Sequence, residues 1–150
     1  MKIEEAIKQT KPFGSVYQKT GVNLMYTHSW YAGRMKSFFK QFGLTSKQYN
    51  ILRILKGAGK PVSTSFIRER LLDKMSDVSR IVDRMHDKGL LTKDICIDDK
   101  RLIDVGLTPR ALQLLDEVKL KSKQMDEILS RLTPEEADRL NGLLDKLRGN

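Results

Sequence analysis

Apolar side chains recur at a helical period from about Val16 to Phe42. Leu24, His28, Tyr31, Met35, Phe38 and Phe42 follow steps of 4, 3, 4, 3 and 4, which keeps them in one stripe on one helix face. Gly43 is placed to end that helix. In LTSKQYNILRIL, Thr45 and Gln48 have the spacing of a capping box, with Leu44 and Tyr49 set for the hydrophobic staple. This predicts a second helix to about Lys56, broken by GAGKP. Ser63 or Thr64 starts a short third helix through Leu72. A three-residue turn, Asp73-Lys74-Met75, leads to a fourth helix over about Ser76 to Lys88, ended by Gly89.

The period then changes from near four to two. Ile95 and Ile97 precede the tetrapeptide DDKR, and Ile103, Val105 and Leu107 follow it. Alternation of this kind predicts two half-buried strands between Leu90 and Leu107. A tight hairpin favours Asn-Gly or Asp-Gly at its tip, whereas this one carries Asp98, Asp99, Lys100 and Arg101. Thr108-Pro109 opens a long helix with Ala111, Leu115, Val118, Met125, Ile128 and Leu132 as its apolar positions. Thr133-Pro134 repeats the signal, Glu136 completes a second capping box, and Ala137, Leu140, Leu144 and Leu147 mark the last helix. Residues 1–14, with Pro12 and Gly14, read as a short helix or an arm.

Four helices, a hairpin and two more helices make a mainly α chain with a small β-hairpin wing. Two short helices joined by a tight turn and followed by a hairpin form a winged helix-turn-helix, here over residues 44–107, within a single domain of residues 1–150. The flanking segments, 15–42 and 108–148, are amphipathic and need more cover than one small module offers. A homodimer interface built from both ends of the chain is the simplest solution.

Charge sharpens this picture. The 150 residues carry 28 Lys and Arg against 19 Asp and Glu, a net +9, which favours a polyanionic partner. Residues 1–56 hold 10 basic residues and 2 acidic ones, whereas residues 111–150 hold 7 and 8. One cysteine, Cys96, excludes an intrachain disulfide and fits a reducing cytoplasm. The opening MKIEEAIKQTK lacks the pattern of a signal peptide, and no run approaches the length of a membrane span. No partner membrane and no cofactor are expected. An enzyme is disfavoured: there is no nucleophile–base set and no phosphate-cradling loop. Only His28 and His86, in separate helices, are available as imidazole ligands, so a metal centre is not expected.

The fourth predicted helix, within MSDVSRIVDRMHDKG, places Met75, Val78, Ile81, Val82 and Met85 on one face. Ser76, Arg80, Asp83 and Asp87 lie on the other, flanked by Asp77 and Arg84. A helix docked by its apolar face and bearing short polar side chains with an arginine near its start suits the DNA major groove. Arg80 has two donors for guanine O6 and N7, and Ser76 and Ser79 have hydroxyls for phosphate or base. Asp83 is expected to hold Arg80 or Arg84 in place. An ordinary amphipathic surface helix is the plainer reading of the same residues, and the neighbouring turn and hairpin argue against it. At the hairpin tip, Lys100 suits a phosphate and Arg101 a narrow minor groove, where negative potential is concentrated. Asp99 is then the acceptor that fixes the basic side chains, and Asp98 forms the turn. Lys60, Ser63, Thr64 and Lys93 are expected on the DNA backbone.

LTSKQYNILRIL, then MSDVSRIVDRMHDKGLL, then DDKR followed by VGLTPRALQLL, together resemble the multiple antibiotic resistance regulator (MarR) family over about residues 44 to 115. The resemblance implies a homodimeric winged helix-turn-helix regulator of transcription, binding pseudopalindromic double-stranded DNA through a recognition helix and a wing. Many such proteins respond to small phenolic or lipophilic ligands, and a ligand-responsive repressor is the expectation here. The family's Asp-x-Arg wing signature falls on Asp99 and Arg101, its recognition-helix arginine on Arg80, and the Asp-Arg pair after it on Asp83 and Arg84. The reactive first-helix cysteine of redox-sensing relatives is absent, and Cys96 at the base of the wing reads as a small strand residue. In the first helix, His28, Trp30, Tyr31 and Arg34 offer an aromatic wall with a cationic end, suited to an aromatic carboxylate. The alternative function is a winged helix serving as a protein-interaction or architectural module without sequence-specific DNA binding.

Overall fold

The computed structural model describes residues 1–149. A four-residue helix, α1 (Ile3–Ala6), precedes the 25-residue α2 (Val16–Lys40). Ser15 caps α2, its hydroxyl accepting the Gln18 N–H at 3.1 Å. Only Phe38 and Phe39 of α2 are buried. There Phe38 packs edge-on against Phe39 and Phe42 at 5.1 and 5.4 Å, and Phe39 stacks on Tyr49 at 4.4 Å. The apolar stripe is therefore buried by this chain only at its C-terminal end. Leu24 and His28 stay exposed because most of α2 runs clear of the module.

The helix α3 (Ser46–Ala58) begins on the capping box, with Thr45 Oγ1 accepting the Gln48 N–H and Gln48 Oε1 accepting the Thr45 N–H. It runs two residues beyond Lys56, because the left-handed stop is at Gly59 (φ 68°) rather than at Gly57. A strand that the sequence pattern does not show, β1 (Val62–Ser63), follows. The Ser63 hydroxyl also accepts the Phe66 N–H and so caps α4 (Thr64–Arg70). That helix stops two residues short of Leu72, where Leu71 turns extended and is buried while Leu72 is exposed.

The connection to α5 (Val78–Asp87) is longer than three residues. The Asp73 carboxylate accepts the Met75 N–H at 3.0 Å, a side-chain turn that competes with helix. Asp77, not Ser76 or a residue before it, is the N-cap, accepting the Arg80 N–H. Met75 thus lies outside the helix and is exposed, not part of its apolar face.

The hairpin strands β2 (Leu91–Ile95) and β3 (Ile103–Leu107) pair antiparallel, Leu91 opposite Leu107 and Ile95 opposite Ile103. β1 adds to the other edge of β3, Val62 opposite Val105, making a three-stranded sheet in the order β1-β3-β2. Gly106 sits where β3 passes Pro61 and Thr92; a Cβ there would lie 2.8 Å from Thr92 Oγ1 and 3.3 Å from Pro61 Cγ. The core joins Ile51, Leu52 and Leu55 of α3, Ile67 of α4, Val78, Val82 and Met85 of α5, Val105 of the sheet, and Ala111, Leu115 and Val118 of α6.

The expected long C-terminal helix is broken in two, α6 (Pro109–Leu120) and α7 (Ser122–Leu129). No Gly or Pro marks the break. At Lys121 the backbone leaves the helical region (φ −103°, ψ 11°). Its ammonium donates to Gln41 Oε1 at 2.9 Å and lies 5.4 Å from the Phe42 ring centre, so a contact to the end of α2 accompanies the bend. The last helix, α8 (Pro134–Leu147), begins on the Thr133/Glu136 capping box and buries none of its side chains within the chain.

Candidate nucleic-acid interface

The sequence of α5 divides it cleanly. Val78, Val82 and Met85 are buried in the core, while Ser79, Arg80, Asp83, Arg84 and Asp87 are exposed on the opposite side. The buried stripe fixes the helix, so the outer face is presented rigidly. Arg80 and Arg84, one turn apart, have no acidic partner among the described residues. Asp83 does not hold either of them. Its carboxylate takes the Lys93 ammonium of β2 at 2.5 Å, tying the helix to the root of the wing. Lys93 is therefore committed to an ion pair rather than standing free for a phosphate. The Ser76 hydroxyl is buried and is not presented to a base. The Asp77 carboxylate faces the helix start as its cap.

The wing extends beyond the core. Ile95 and Ile97 are exposed rather than half-buried, because none of the described residues covers them at the outer half of the hairpin. Its tip is closed by two backbone bonds, Cys96 N–H to Leu102 O at 3.0 Å and Leu102 N–H to Asp99 O at 2.9 Å. Asp99 accepts three bonds from Arg101: backbone N–H at 3.0 Å, Nε at 3.1 Å and Nη2 at 3.1 Å. The guanidinium holds the Asp99 carboxyl below the usual carboxylate range, and the carboxylate raises the Arg101 pKa in turn. The Arg101 side chain is still 89% exposed, so the pair fixes the plane of the arginine without hiding it. Lys100 projects beside it, exposed.

Lys60 is exposed in the loop before β1. Ser63 and Thr64 are half-buried at the start of α4, where the Ser63 hydroxyl is engaged as the cap. Lys36 and Lys40 of α2 line one cleft together with Arg80 and Arg84 of α5. The sequence pattern counts these lysines only within the basic N-terminal segment, since nothing local joins residue 36 to residue 84.

His28, Trp30 and Arg34 are exposed along α2 and Tyr31 is half-buried. The Arg34 guanidinium lies 5.9 Å from the Trp30 ring centre, within cation–π range. Three clefts formed by the described residues are lined by other side chains.

Residues 42–102 match the model of the MarR family. The chain is 27% identical over 123 residues to the HTH-type transcriptional repressor IacR of Pseudomonas putida, covering 81% of this chain and 73% of that protein. Its fold is similar to the organohalide-sensing regulator RdhR in its 2,4-dichlorophenol-bound form, with a TM-score of 0.82 at 21% identity over 93% of this chain and 86% of that one. It is also similar to BpsR of Bordetella bronchiseptica, whose DNA binding is regulated by 6-hydroxynicotinic acid, with a TM-score of 0.80 at 20% identity, covering 93% and 99%.

Proposed function

We propose that the chain is a DNA-binding regulator of transcription of the MarR family, whose model its residues 42–102 match, and that it acts as a homodimeric, ligand-responsive repressor on a pseudopalindromic operator. The observation that carries this reading is the outer face of α5. A helix locked into the core by Val78, Val82 and Met85 presents Arg80 and Arg84 without acidic partners among the described residues. In the major groove, Arg80 donates in a bidentate manner to guanine and Ser79 to a base edge or phosphate. Arg84 follows the groove wall. Asp77 contributes by capping the start of the helix. The wing enters the adjacent minor groove with Arg101, oriented by Asp99, while Lys100 and Lys60 meet phosphates and Thr64 flanks the helix-turn-helix on the same strand.

The two-fold assembly is supported by what the chain leaves uncovered. α8 buries none of its side chains, Leu140, Leu143 and Leu147 being exposed, and Tyr17, Met25 and Trp30 of α2 are exposed as well. A second copy packed on these helices places two α5 helices on one side of the dimer, and a two-fold operator follows. Repression is the role named for the Pseudomonas putida relative. An aromatic acid is the ligand class that suits Trp30, Tyr31, His28 and Arg34. Two structural relatives respond to, or bind, small aromatic molecules. In this reading the pocket is completed by the partner's helices.

Selection of bound duplexes from a random pool, repeated with aromatic carboxylates present, tests the proposal. The expected result is a palindrome with half-sites about one helical turn apart, released by at least one acid. Arg80→Ala is expected to lower the ratio of operator to random affinity. Recovery of unrelated sequences, or an unchanged ratio for Arg80→Ala, would overturn it.

A further inference from the structure

We propose that the cleft between the end of α2, the start of α3 and the outer face of α5 seats the sugar-phosphate backbone of the duplex whose bases α5 reads, with Lys36 and Lys40 as its phosphate ligands. This rests on the DNA-binding reading above and assigns residues that neither the recognition helix nor the wing supplies.

The cleft has a volume of about 760 Å³ and brings together Lys36, Lys40, Lys47, Arg80 and Arg84 against a single carboxylate, Asp77. The Asp77 carboxylate is engaged with the Arg80 N–H. Lys47 is paired with Asp73 at 2.7 Å. The other four cations have no acidic partner among the described residues. Such a concentration of one sign repels itself, and the Asp83–Lys93 pair shows that the same helix supplies a counter-charge where the fold uses one. Here the counter-charge comes from outside the chain.

Position identifies the anion. Two of the five cations, Arg80 and Arg84, lie on the face that the groove receives. A helix seated in the major groove is bordered by the two phosphate strands, so side chains rising beside its outer face meet backbone rather than bases. The first turn of the 13-residue α3 opens into the same space, and the positive end of its dipole adds to the attraction. A small organic anion would neutralise one or two of these groups. A strand of regularly spaced phosphates runs past several, which matches cations supplied to one cleft from two different helices. Because Lys36 and Lys40 belong to α2 and Arg80 to α5, a strand held between them fixes the depth and tilt of α5 without carrying sequence information.

The test compares wild type with Lys36→Gln/Lys40→Gln, both positions being exposed. Binding to the selected operator and to a random duplex is measured from low to moderate salt, with a thermal melt as the folding control. The double variant is expected to weaken both duplexes by a similar factor, and to flatten the log Kd against log salt slope by about 2, roughly 1 for each phosphate no longer neutralised. The operator-to-random ratio stays unchanged. An unaltered slope with wild-type affinity overturns the cleft assignment while leaving the DNA-binding reading intact. So does a variant that binds DNA normally but no longer binds benzoate, which would make the cleft a small-anion site. Wild type that binds neither duplex overturns both readings.

Discussion

The Asp99 carboxylate accepts the Arg101 guanidinium on both oxygens, Nε to Oδ1 at 3.1 Å and Nη2 to Oδ2 at 3.1 Å, across two residues of the wing tip. A planar, permanently charged group is held by a matching acceptor, and it remains in solvent. This arrangement suits the minor-groove contact proposed for Arg101. Arg101→Ala is expected to weaken binding by about ten-fold, ~1.4 kcal/mol, on A·T-rich flanks and by less on G·C-rich ones, because a narrow minor groove concentrates negative potential. Asp99→Asn keeps the charge and loosens its placement, so a smaller loss with the same flank preference is expected. Equal losses on every flank would reduce Arg101 to a phosphate contact.

The same pair has a defined pH response. The folded Asp99 carboxyl titrates below its unfolded value, first because of the Arg101 side chain and then its backbone N–H. The resulting order at the wing is present above the unfolded pKa and is lost as pH falls through the lowered folded value. It is complete at neutral pH. A carboxyl-detected NMR titration of wild type is expected to show this midpoint below that of an ordinary aspartate, and Arg101→Ala to return it upward.

Lys93 and Asp83 form a second pair at the proposed interface. Their 2.5 Å contact joins α5 to β2. The pair is partly exposed, so its contribution to stability is below about 1 kcal/mol. Its geometric role is to link the helix to the root of the wing. Lys93→Gln and Asp83→Asn are expected to weaken operator binding to a similar extent, and the double variant no more than either alone, as one shared interaction requires. Lys60→Gln should flatten the salt dependence by about 1, whereas Lys93→Gln should change it less. Additive losses for Asp83 and Lys93 would show that Lys93 touches phosphate by itself.

These two pairs also show what is legible along the chain. Asp99 and Arg101 lie two residues apart in one turn, and local spacing is enough to pair them. Asp83 has its partner ten residues on in another element, and the helical face alone points to Arg80 or Arg84. The same distinction holds for the fold. The Thr45/Gln48 and Thr133/Glu136 boxes and the hairpin are local, and the structure has them. β1 is two residues long and exists only because Val62 finds Val105. The break at Lys121 accompanies contacts to Gln41 and Phe42, about 80 residues earlier. At the start of α5, Asp73, Ser76 and Asp77 are all capping types, and the choice among them depends on the turn that Asp73 closes with the Met75 N–H. Lys36 and Lys40 acquire meaning only once α2 passes α5.

The exposed face of α8 makes the assembly testable. Leu143 is 60% exposed in the single chain, so its replacement removes nothing from the module's core. Leu143→Glu is expected to leave the melting of the winged module little changed and to shift the species seen by sedimentation from dimer to monomer. Operator affinity should fall towards that of a single half-site. A variant that remains dimeric would remove α8 from the interface.

Gly106 gives the sharpest prediction for the fold itself. It pairs with Thr92 in the central strand, and a Cβ at this position would stand 2.8 Å from Thr92 Oγ1 and 3.3 Å from Pro61 Cγ. Pro61 is the more rigid obstacle, since its ring leads directly into β1, which pairs with β3. The Thr92 side chain can rotate, but the proline cannot move without disturbing the Val62–Val105 pairing. Gly106→Ala is therefore expected to destabilise the protein by about 1–3 kcal/mol, the usual range for overpacking a close contact. Thr92→Ala in the same background should recover part of the loss by removing the nearer atom. Chemical denaturation of the two variants checks both statements, and a Gly106→Ala protein as stable as wild type would show that β1 yields at no cost.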